Sequence, residues 1–426
     1  MELNILVFPC GSEIALEIHR SLKYSRHINL FGASSTEDHG KFIYEQYIGN
    51  VPYFDEHNFI PTINKIIEEY KIDAIYPAMD SVIAKFSEMS NMINCRIIGS
   101  SNETNQICLS KEITYNLLKD EIKCPKIYDI NEVEESDFPL FIKPIIGYGS
   151  RGVFKAKSKK EASEYLTNNK GLILLEYLPG EEFTVDCFTD RKGNLRFQGA
   201  RIRNRISNGI SVNTQIYSER NEEIEQIINV INSKVKFRGA WFAQLKLDAN
   251  GNLALLEIAA RFGGSSSLYR NKGVNFALLS VFDAFDNDVD IIENNYKIEL
   301  DRALDNRYKL DINFDTVFCD FDDCLIIKEK INLSLLSFLF QSINEGKKLV
   351  LITKHEKDIN QSLKKYRLEK VFDIITHLNS GDHKYKYITE QKAIFIDDSH
   401  RERKEVLEKL NIPVFAPDNI EALLQR

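Results

Sequence analysis

Short apolar runs alternate with amphipathic stretches through the first hundred residues. Asn4–Pro9 has the continuous apolar pattern of a buried strand, Glu13–Leu22 repeats with helical period, and Ile28–Phe31 is strand-like again. Asn58–Tyr70 predicts a helix and Ala74–Tyr76 a strand that stops at Pro77. This is the β-α-β rhythm of a doubly wound parallel sheet. From Ser110 to about Leu300 the rhythm changes. Strand-like runs Leu140–Pro144, Leu172–Tyr177, Phe183–Phe188, Ala243–Leu247 and Ala254–Ile258 are separated by glycine-containing turns. Asn221–Phe237 predicts a helix, with Asn221 as its cap, two early glutamates, and Ile224, Ile227, Ile228 and Ile231 on one face. This block is α+β. After a charged, aperiodic stretch near Ile298–Asp311 the β-α-β rhythm returns, with strands at Thr316–Cys319, Leu349–Thr353 and Ala393–Ile396. The parsimonious division has three units: an α/β domain over 1–105, an α+β domain over 106–300, a linker over 301–312 and a second α/β domain over 313–426.

Composition adds exclusions. The chain has 426 residues, about three times the size of an ordinary domain. With 43% apolar and 28% charged residues it has core-forming material for several units. Fifty-five basic against 63 acidic residues give a net charge of −8, which argues against coating nucleic acid or anionic membrane through bulk charge. No apolar run reaches the ~18 residues of a membrane span, and the N-terminus lacks a signal peptide's basic lead. The seven cysteines are scattered and never spaced CxxC, so they read as reduced thiols of a cytoplasmic protein. No histidine lies between His57 and His355, so chemistry in the middle of the chain does not use imidazole.

In the middle block, Lys143 ends an apolar strand and precedes a loop with glycines at 147, 149 and 152. Glycines let backbone N–H groups approach an anion while lysine supplies charge. A tight β-turn with a solvated lysine would give the same pattern. The spacing is neither GxxxxGK[ST] nor GxGxxG. Downstream, Glu176 ends a strand and Glu181 and Glu182 open the next. Gln244 and Glu257 fall on the two arms of a hairpin turning at Asn250-Gly251, where their oxygens can meet on one cation. Arg201, Arg203 and Arg205 alternate along a strand and would face one side, either as a carboxylate or phosphate clamp or as the charged guard of an edge strand. Asp80, just past a strand end, faces the same cleft or caps a helix.

Taken together, the Lys-Pro…Gly-rich loop, the segment Glu176-Tyr177-Leu178-Pro179-Gly180-Glu181-Glu182-Phe183-Thr184-Val185-Asp186 and the paired metal strands resemble the ATP-grasp family. The similarity is greatest to short relatives of the carbamoyl-phosphate synthase large subunit and other carboxylate–amine ligases. It covers about residues 1–300, with 1–105 as the preceding α/β domain and 115–178 as the lid subdomain. The resemblance implies that Lys111 and Lys143 hold ATP phosphates and that Gly147, Gly149, Ser150 and Gly152 close over them. It places Glu176 at the adenine hinge, Glu182 at the ribose, Gln244 and Glu257 on magnesium (with manganese as its substitute), and Arg261 on the transferred phosphoryl group. The family's Glu-x-Asn-Pro-Arg is here Glu257-Ile258-Ala259-Ala260-Arg261. Alanine cannot ligate, so either one metal is held more weakly or the domain is a degenerate nucleotide-binding module.

In the last block, Asp320 and Asp322 follow an apolar strand, Thr353 ends a second, and Asp397 and Asp398 follow a third, with Lys384 between. Parallel sheets place ligand sites at strand C-termini, and carboxylates gathered there need a divalent cation. These residues resemble the haloacid dehalogenase-like (HAD-like) phosphohydrolases over 313–426. The resemblance implies Asp320 as nucleophile, Asp322 as acid/base, Thr353 and Lys384 on the phosphoryl group, and Asp320, Asp322 and Asp397 around magnesium. Thirty-three residues separate Asp320 from Thr353 and 31 separate Thr353 from Lys384, too few for an inserted cap domain. The expectation is a bifunctional enzyme: an ATP-dependent amide-forming ligase for small carboxylate and amine substrates, joined to a capless phosphatase for a phosphorylated metabolite. A homo-oligomer is compatible with it.

Overall fold

The first apolar run becomes strand β1 (Leu3–Phe8), flanked by β2 (Ile28–Ala33), β3 (Gln46–Ile48), β4 (Ala74–Pro77) and β5 (Arg96–Ile97) in the order β3-β2-β1-β4-β5. All pairs are parallel. A computed structural model describes residues 2–147, 152–207, 209–303 and 310–425, and the chain divides into two compact units, 1–304 and 305–426. Strand β1 is apolar without a break from Ile5 to Phe8 because both its faces are covered there. Ile14, Ile18 and Leu22 of helix Glu13–Leu22 pack with one set of its side chains, and Phe59, Ile63 and Ile67 of helix Phe59–Tyr70 with the other. Strand order reverses between β1 and β4, so their C-terminal ends open the crevice where such sheets take ligands. Helix Asp80–Glu88 starts at that crevice. Met79 occupies its cap position and Asp80 its first turn, so capping is not what Asp80 does.

Two antiparallel sheets follow in the same unit. The smaller comprises β6 (Ile127–Tyr128), β7 (Leu140–Pro144), β8 (Phe154–Ala156) and β9 (Leu172–Glu176), in the order β6-β9-β7-β8. Lys143 lies on β7; Gly149 and Ser150 of the following loop lie outside the described residues. The larger comprises β10 (Glu182–Thr189), β11 (Leu195–Ser207), β12 (Ile210–Ile216), β13 (Gly239–Leu247), β14 (Leu253–Ala259) and β15 (Glu299–Asp301), in the order β14-β13-β10-β11-β12-β15. One face is covered by helix Asn221–Lys234, whose Ile224, Ile228 and Ile231 meet Phe183, Val185, Trp241 and Leu245. Buried side chains of this kind are worth about 1.5–3 kcal/mol each. The cap differs from expectation: Arg220 stands at the N-cap without a side-chain bond and Asn221 is already helical. Trp241 stacks on Phe237 with ring centroids 4.0 Å apart and donates to Thr189 Oγ1 at 2.8 Å, which fixes the strand carrying Gln244.

The sheets of this unit are tied together by polar contacts between residues far apart in sequence. Arg270 Nε donates to Glu17 at 2.7 Å and Arg96 Nη1 to Asp286 at 2.9 Å. The second unit is a parallel sheet of β16 (Thr316–Cys319), β19 (Lys348–Thr353), β20 (Ile374–His377), β21 (Ala393–Ile396) and β22 (Val414–Phe415), in the order β20-β19-β16-β21-β22. A small hairpin, β17 (Ile326–Ile327) and β18 (Lys330–Ile331), follows the Asp320 loop; sequence patterning does not announce it. No helix among the described residues is long and apolar enough to cross a membrane.

Candidate functional site

Strand register gathers the candidate residues of the first unit. On β10, Glu182 and Thr184 alternate on one face; Thr184 stands opposite Gln244 of β13 and Arg201 of β11. Gln244 in turn stands opposite Glu257 of β14, two residues before Ala259. The turn that joins these arms is organised by Asp248, which accepts from the N–H groups of Asn250 and Asn252 at 2.8 Å each, with Gly251 at φ +79. A side chain at Gly251 would be strained by that φ. Between Gln244 and Leu245 the register slips: Glu257 and Leu255 pair across, and Leu256 is the extra residue of a β-bulge. Its carbonyl, released from the ladder, accepts from Tyr115 Oη at 2.6 Å and from Lys143 Nζ at 3.2 Å. Lys143 Nζ also donates to Tyr115 Oη at 2.7 Å.

Burial, opposed by the charge of Glu257, lowers the Lys143 ammonium to about 7. Lys111, at the start of helix Lys111–Leu118, donates to the Gly147 carbonyl at 2.9 Å, and burial lowers its pKa as well. For both lysines burial outweighs the charge of the nearby Glu257, which is the setting in which a polyphosphate restores their charge. They open on two cavities, of about 450 and 210 Å³, that share Lys111, Gly147, Arg203, Gln244 and Glu257 in their walls.

Arg261 reaches into the larger cavity and is clamped by Asp80 in a bidentate pair, Nε to Oδ1 at 2.6 Å and Nη2 to Oδ2 at 2.8 Å. The β-α-β sheet thereby contributes a carboxylate to a pocket built mainly by the antiparallel one. The three arginines of β11 part company. Arg201 is buried on Asp186 at 2.6 Å, Arg203 pairs with Glu182 and donates to the Gly209 carbonyl at 2.7 Å, and both line the larger cavity. Register irregularities on either side of Arg205 turn it off that face, and it pairs with Asp301 at 2.7 Å in the open. The expectation that all three face one side is corrected by that irregularity. A Cβ added at Gly263 would come within 2.9 Å of Arg201 Nη2, so glycine there leaves room for the guanidinium. Glu182 spends its carboxylate on Arg203 and Lys246. Glu176 accepts from the Lys126 N–H at 3.3 Å and lines neither cavity.

In the second unit the acidic residues follow adjacent strand ends. Lys384 Nζ sits 2.8 Å from Asp320 Oδ1 and 2.6 Å from Asp397 Oδ2, with the Thr353 hydroxyl beside Asp320. All four side chains are buried. Burial raises Asp320 despite Lys384, while burial and then the Asp320 charge push Asp397 up to about 7. Carboxylate oxygens of Asp320, Asp397 and Asp398 lie within 4.8 Å of one another. Three hard oxygen donors at that spacing fit a magnesium-sized cation. Asp322 is not part of this group and meets His355 instead. Arg403 Nη1 donates to the carbonyls of both Asp397 and Asp398 at 2.6 Å and pins their loop. Tyr115, the Leu256 carbonyl, Asp186, His355 and Arg403 are the partners that sequence reading missed. A tyrosine four residues after Lys111 was the one visible hint, since that spacing shares a helix face.

Residues 168–305 match the family model described as ATP-grasp in the biosynthetic pathway with Ter operon. The D-alanine–D-alanine ligase of Thermotoga petrophila is 32% identical over 110 residues, 24% of this chain and 36% of that enzyme, so the chain spans about a third of the length of such relatives. Among solved structures, the biotin carboxylase domain of Hydrogenobacter thermophilus 2-oxoglutarate carboxylase, in complex with MgADP, ADP and bicarbonate, superposes with TM-score 0.58 at 17% identity, covering 68% of this chain and 71% of that one. N5-carboxyaminoimidazole synthetase from Staphylococcus aureus gives TM-score 0.57 at 14% identity, covering 69% and 81%. An L-amino acid ligase from Bacillus licheniformis gives 0.55 at 16%, covering 69% and 75%. Residues 168–305 thus match an ATP-grasp family model, and they lie in a unit whose fold is similar to that of these carboxylases and ligases.

Proposed function

We propose that the first unit is an ATP- and magnesium-dependent carboxylate–amine ligase. The observation that carries this reading is the convergence of Lys111, Lys143, Gln244, Glu257 and Arg261 on two connected cavities within an ATP-grasp fold. A substrate carboxylate oxygen attacks the γ-phosphorus of ATP as the bond to the β-phosphate oxygen breaks and ADP leaves. The amine nitrogen then attacks the acyl carbon, phosphate departs with the electron pair, and the nitrogen loses its proton to solvent. Lys111 and Lys143 bind the phosphates, and Arg261 meets the charge that develops on the transferred group. Arg201 and Arg203 hold the acyl substrate's acidic group, each with part of its charge already spent on Asp186 or Glu182. Gln244 and Glu257 would hold the metal, which would neutralise phosphate charge. ADP release that requires both a carboxylate and an amine tests this reading; release with neither present would overturn it.

The second unit, on the same proposal, is a magnesium-dependent phosphatase. Asp320 attacks phosphorus, Lys384 and Thr353 hold the phosphoryl oxygens, and Asp322 supplies and retrieves the proton. The buried Asp320–Lys384–Asp397 cluster supports it. Lys384 offsets one of the two carboxylate charges before substrate arrives.

Two expectations follow for the nucleotide site. Above pH 7 the free Lys143 side chain is largely neutral, whereas bound phosphate favours the ammonium. ATP binding therefore takes up a proton between about 7 and the ordinary lysine range near 10.4, and affinity falls as pH rises through that window. Calorimetry at pH 8.5 in buffers of different ionisation heat should show uptake approaching one proton per ATP, and clearly less in Lys143→Ala. Equal heats in all buffers would refute it.

Ala259 favours the second reading, a nucleotide-binding module without chemistry, because it lines the cavity at a position that offers no ligand. Ala259→Asn adds an oxygen beside Glu257 and should lower the magnesium concentration for half-maximal ATP turnover severalfold. An enzyme whose turnover stays absent at every magnesium concentration, before and after the substitution, would favour the module.

A further inference from the structure

Asp322 lies two residues beyond the Asp320 nucleophile, and its carboxylate is about half exposed. Both of its oxygens approach His355 Nδ1, at 3.0 and 2.8 Å. The imidazole is only 11% exposed, against 52% for Asp322. Its other nitrogen, Nε2, is 2.8 Å from Ser362 Oγ on helix Ile359–Tyr366. The backbone is fastened too: the His355 carbonyl lies 2.6 Å from His377 Nε2 on β20, and Phe321 meets the imidazole edge-on at 5.0 Å. An ionised carboxylate only accepts, so Nδ1 donates to Asp322, and with the neutral ring the Ser362 hydroxyl then donates to Nε2. A solvent-exposed acid on a loop is thus tethered by a ring that is held on both sides by the neighbouring strand end and helix.

We propose that His355 is the positioning residue for Asp322, and that Ser362 locks the imidazole in the tautomer this requires. The proposal rests on the phosphatase reading of the second unit. In the first half-reaction, the bond from Asp320 Oδ to phosphorus forms, the bond to the leaving oxygen breaks, and the proton of Asp322 passes to that oxygen. In the second, water attacks phosphorus, its proton goes to Asp322, and the aspartyl–phosphorus bond breaks to release phosphate. The single Nδ1–H bond serves both forms. When Asp322 is protonated, one oxygen keeps the bond to His355 while the other presents the proton to the leaving group. Without His355 the carboxyl group would rotate freely, and misplacement by about 1 Å can cost a step about 10²-fold.

Proton delivery matters in proportion to the basicity of the leaving group, which separates positioning from mere structural support. The 426-residue chain is assayed with 4-nitrophenyl phosphate, whose leaving group hardly needs a proton, and with phenyl phosphate, whose leaving group has the basicity of tyrosine, about 10. His355→Ala should lower kcat/KM, which reports only the steps through aspartyl-phosphate formation, by about 10- to 100-fold on phenyl phosphate and by less than about threefold on 4-nitrophenyl phosphate. His355→Asn, whose amide nitrogen can replace the Nδ1 donor, should recover most of the loss, and Ser362→Ala should show the same split at smaller size. Equal losses on the two esters, or no loss on phenyl phosphate, would overturn the role of His355. A split in Asp322→Asn that is absent from His355→Ala would leave the phosphatase intact and remove only this inference. Full hydrolysis by Asp320→Asn would instead remove the phosphatase reading, and this inference with it.

Discussion

Lys143→Ala is expected to lower ATP turnover at the first unit by two orders of magnitude or more, while hydrolysis of 4-nitrophenyl phosphate stays within twofold of wild type. The size follows from losing a fixed cation where phosphoryl charge develops in a water-poor pocket, a loss that typically costs ~10²–10³ in rate. The fold should survive. Lys143 is a buried ammonium whose pKa is depressed by desolvation, so its removal relieves a cost as well as taking away contacts. Its neighbour Tyr115 keeps the Leu256 carbonyl as acceptor at 2.6 Å, so no buried hydroxyl is orphaned. ADP formation measured with saturating carboxylate and amine checks the rate, and a thermal midpoint near wild type checks the fold. Turnover equal to wild type would remove Lys143 from the phosphate site.

What the sequence made legible here is what local periodicity and local turn chemistry decide. Helix Glu13–Leu22 was readable because its apolar spacing is helical and its face is buried. That Gln244 and Glu257 lie near each other was readable because an Asn-Gly turn joins two apolar arms, but their direct pairing comes from the Leu256 bulge, since nearer the turn Leu247 pairs with Leu253 and Leu245 with Leu255. The acids of the second unit were readable because each follows an apolar strand directly. The rest depends on contacts between distant residues or on single-residue irregularities. Asp80 meets Arg261 across 181 positions, and nothing near either residue announces it. The Leu256 bulge adds one residue to a strand whose alternation reads equally well without it, yet it frees the carbonyl that holds Lys143. Irregular pairing around Arg205 breaks an arginine alternation that looked uniform in the sequence. Histidine scarcity pointed away from imidazole in the middle of the chain, but gave no sign that His355 would find Asp322 33 residues away.

On the proposed phosphatase reading, Asp320→Asn should abolish phosphomonoester hydrolysis, by three orders of magnitude or more, as removal of a nucleophile does in enzymes with covalent intermediates. ATP-dependent turnover at the first unit should continue at the wild-type rate. The amide oxygen is a far poorer nucleophile than a carboxylate, and the substitution also takes one hard anionic donor from the Asp320–Asp397–Asp398 cluster. Stability should change little, because two effects oppose each other. Lys384 loses one of its two carboxylate partners, at 2.8 Å, but keeps Asp397 at 2.6 Å. Asp397, held near 7 partly by the charge of Asp320, loses that repulsion and ionises more readily. The buried group is then a lysine–carboxylate pair of matched charge rather than one cation between two anions. Asp320→Ala, which cannot be converted back to aspartate by deamidation, serves as the second variant. Crystals soaked with beryllium fluoride and magnesium give a direct check on the nucleophile. An adduct on Asp320 Oδ supports the assignment; an adduct on Asp322 or Asp397, or full hydrolysis by both Asp320 variants, moves the nucleophile elsewhere.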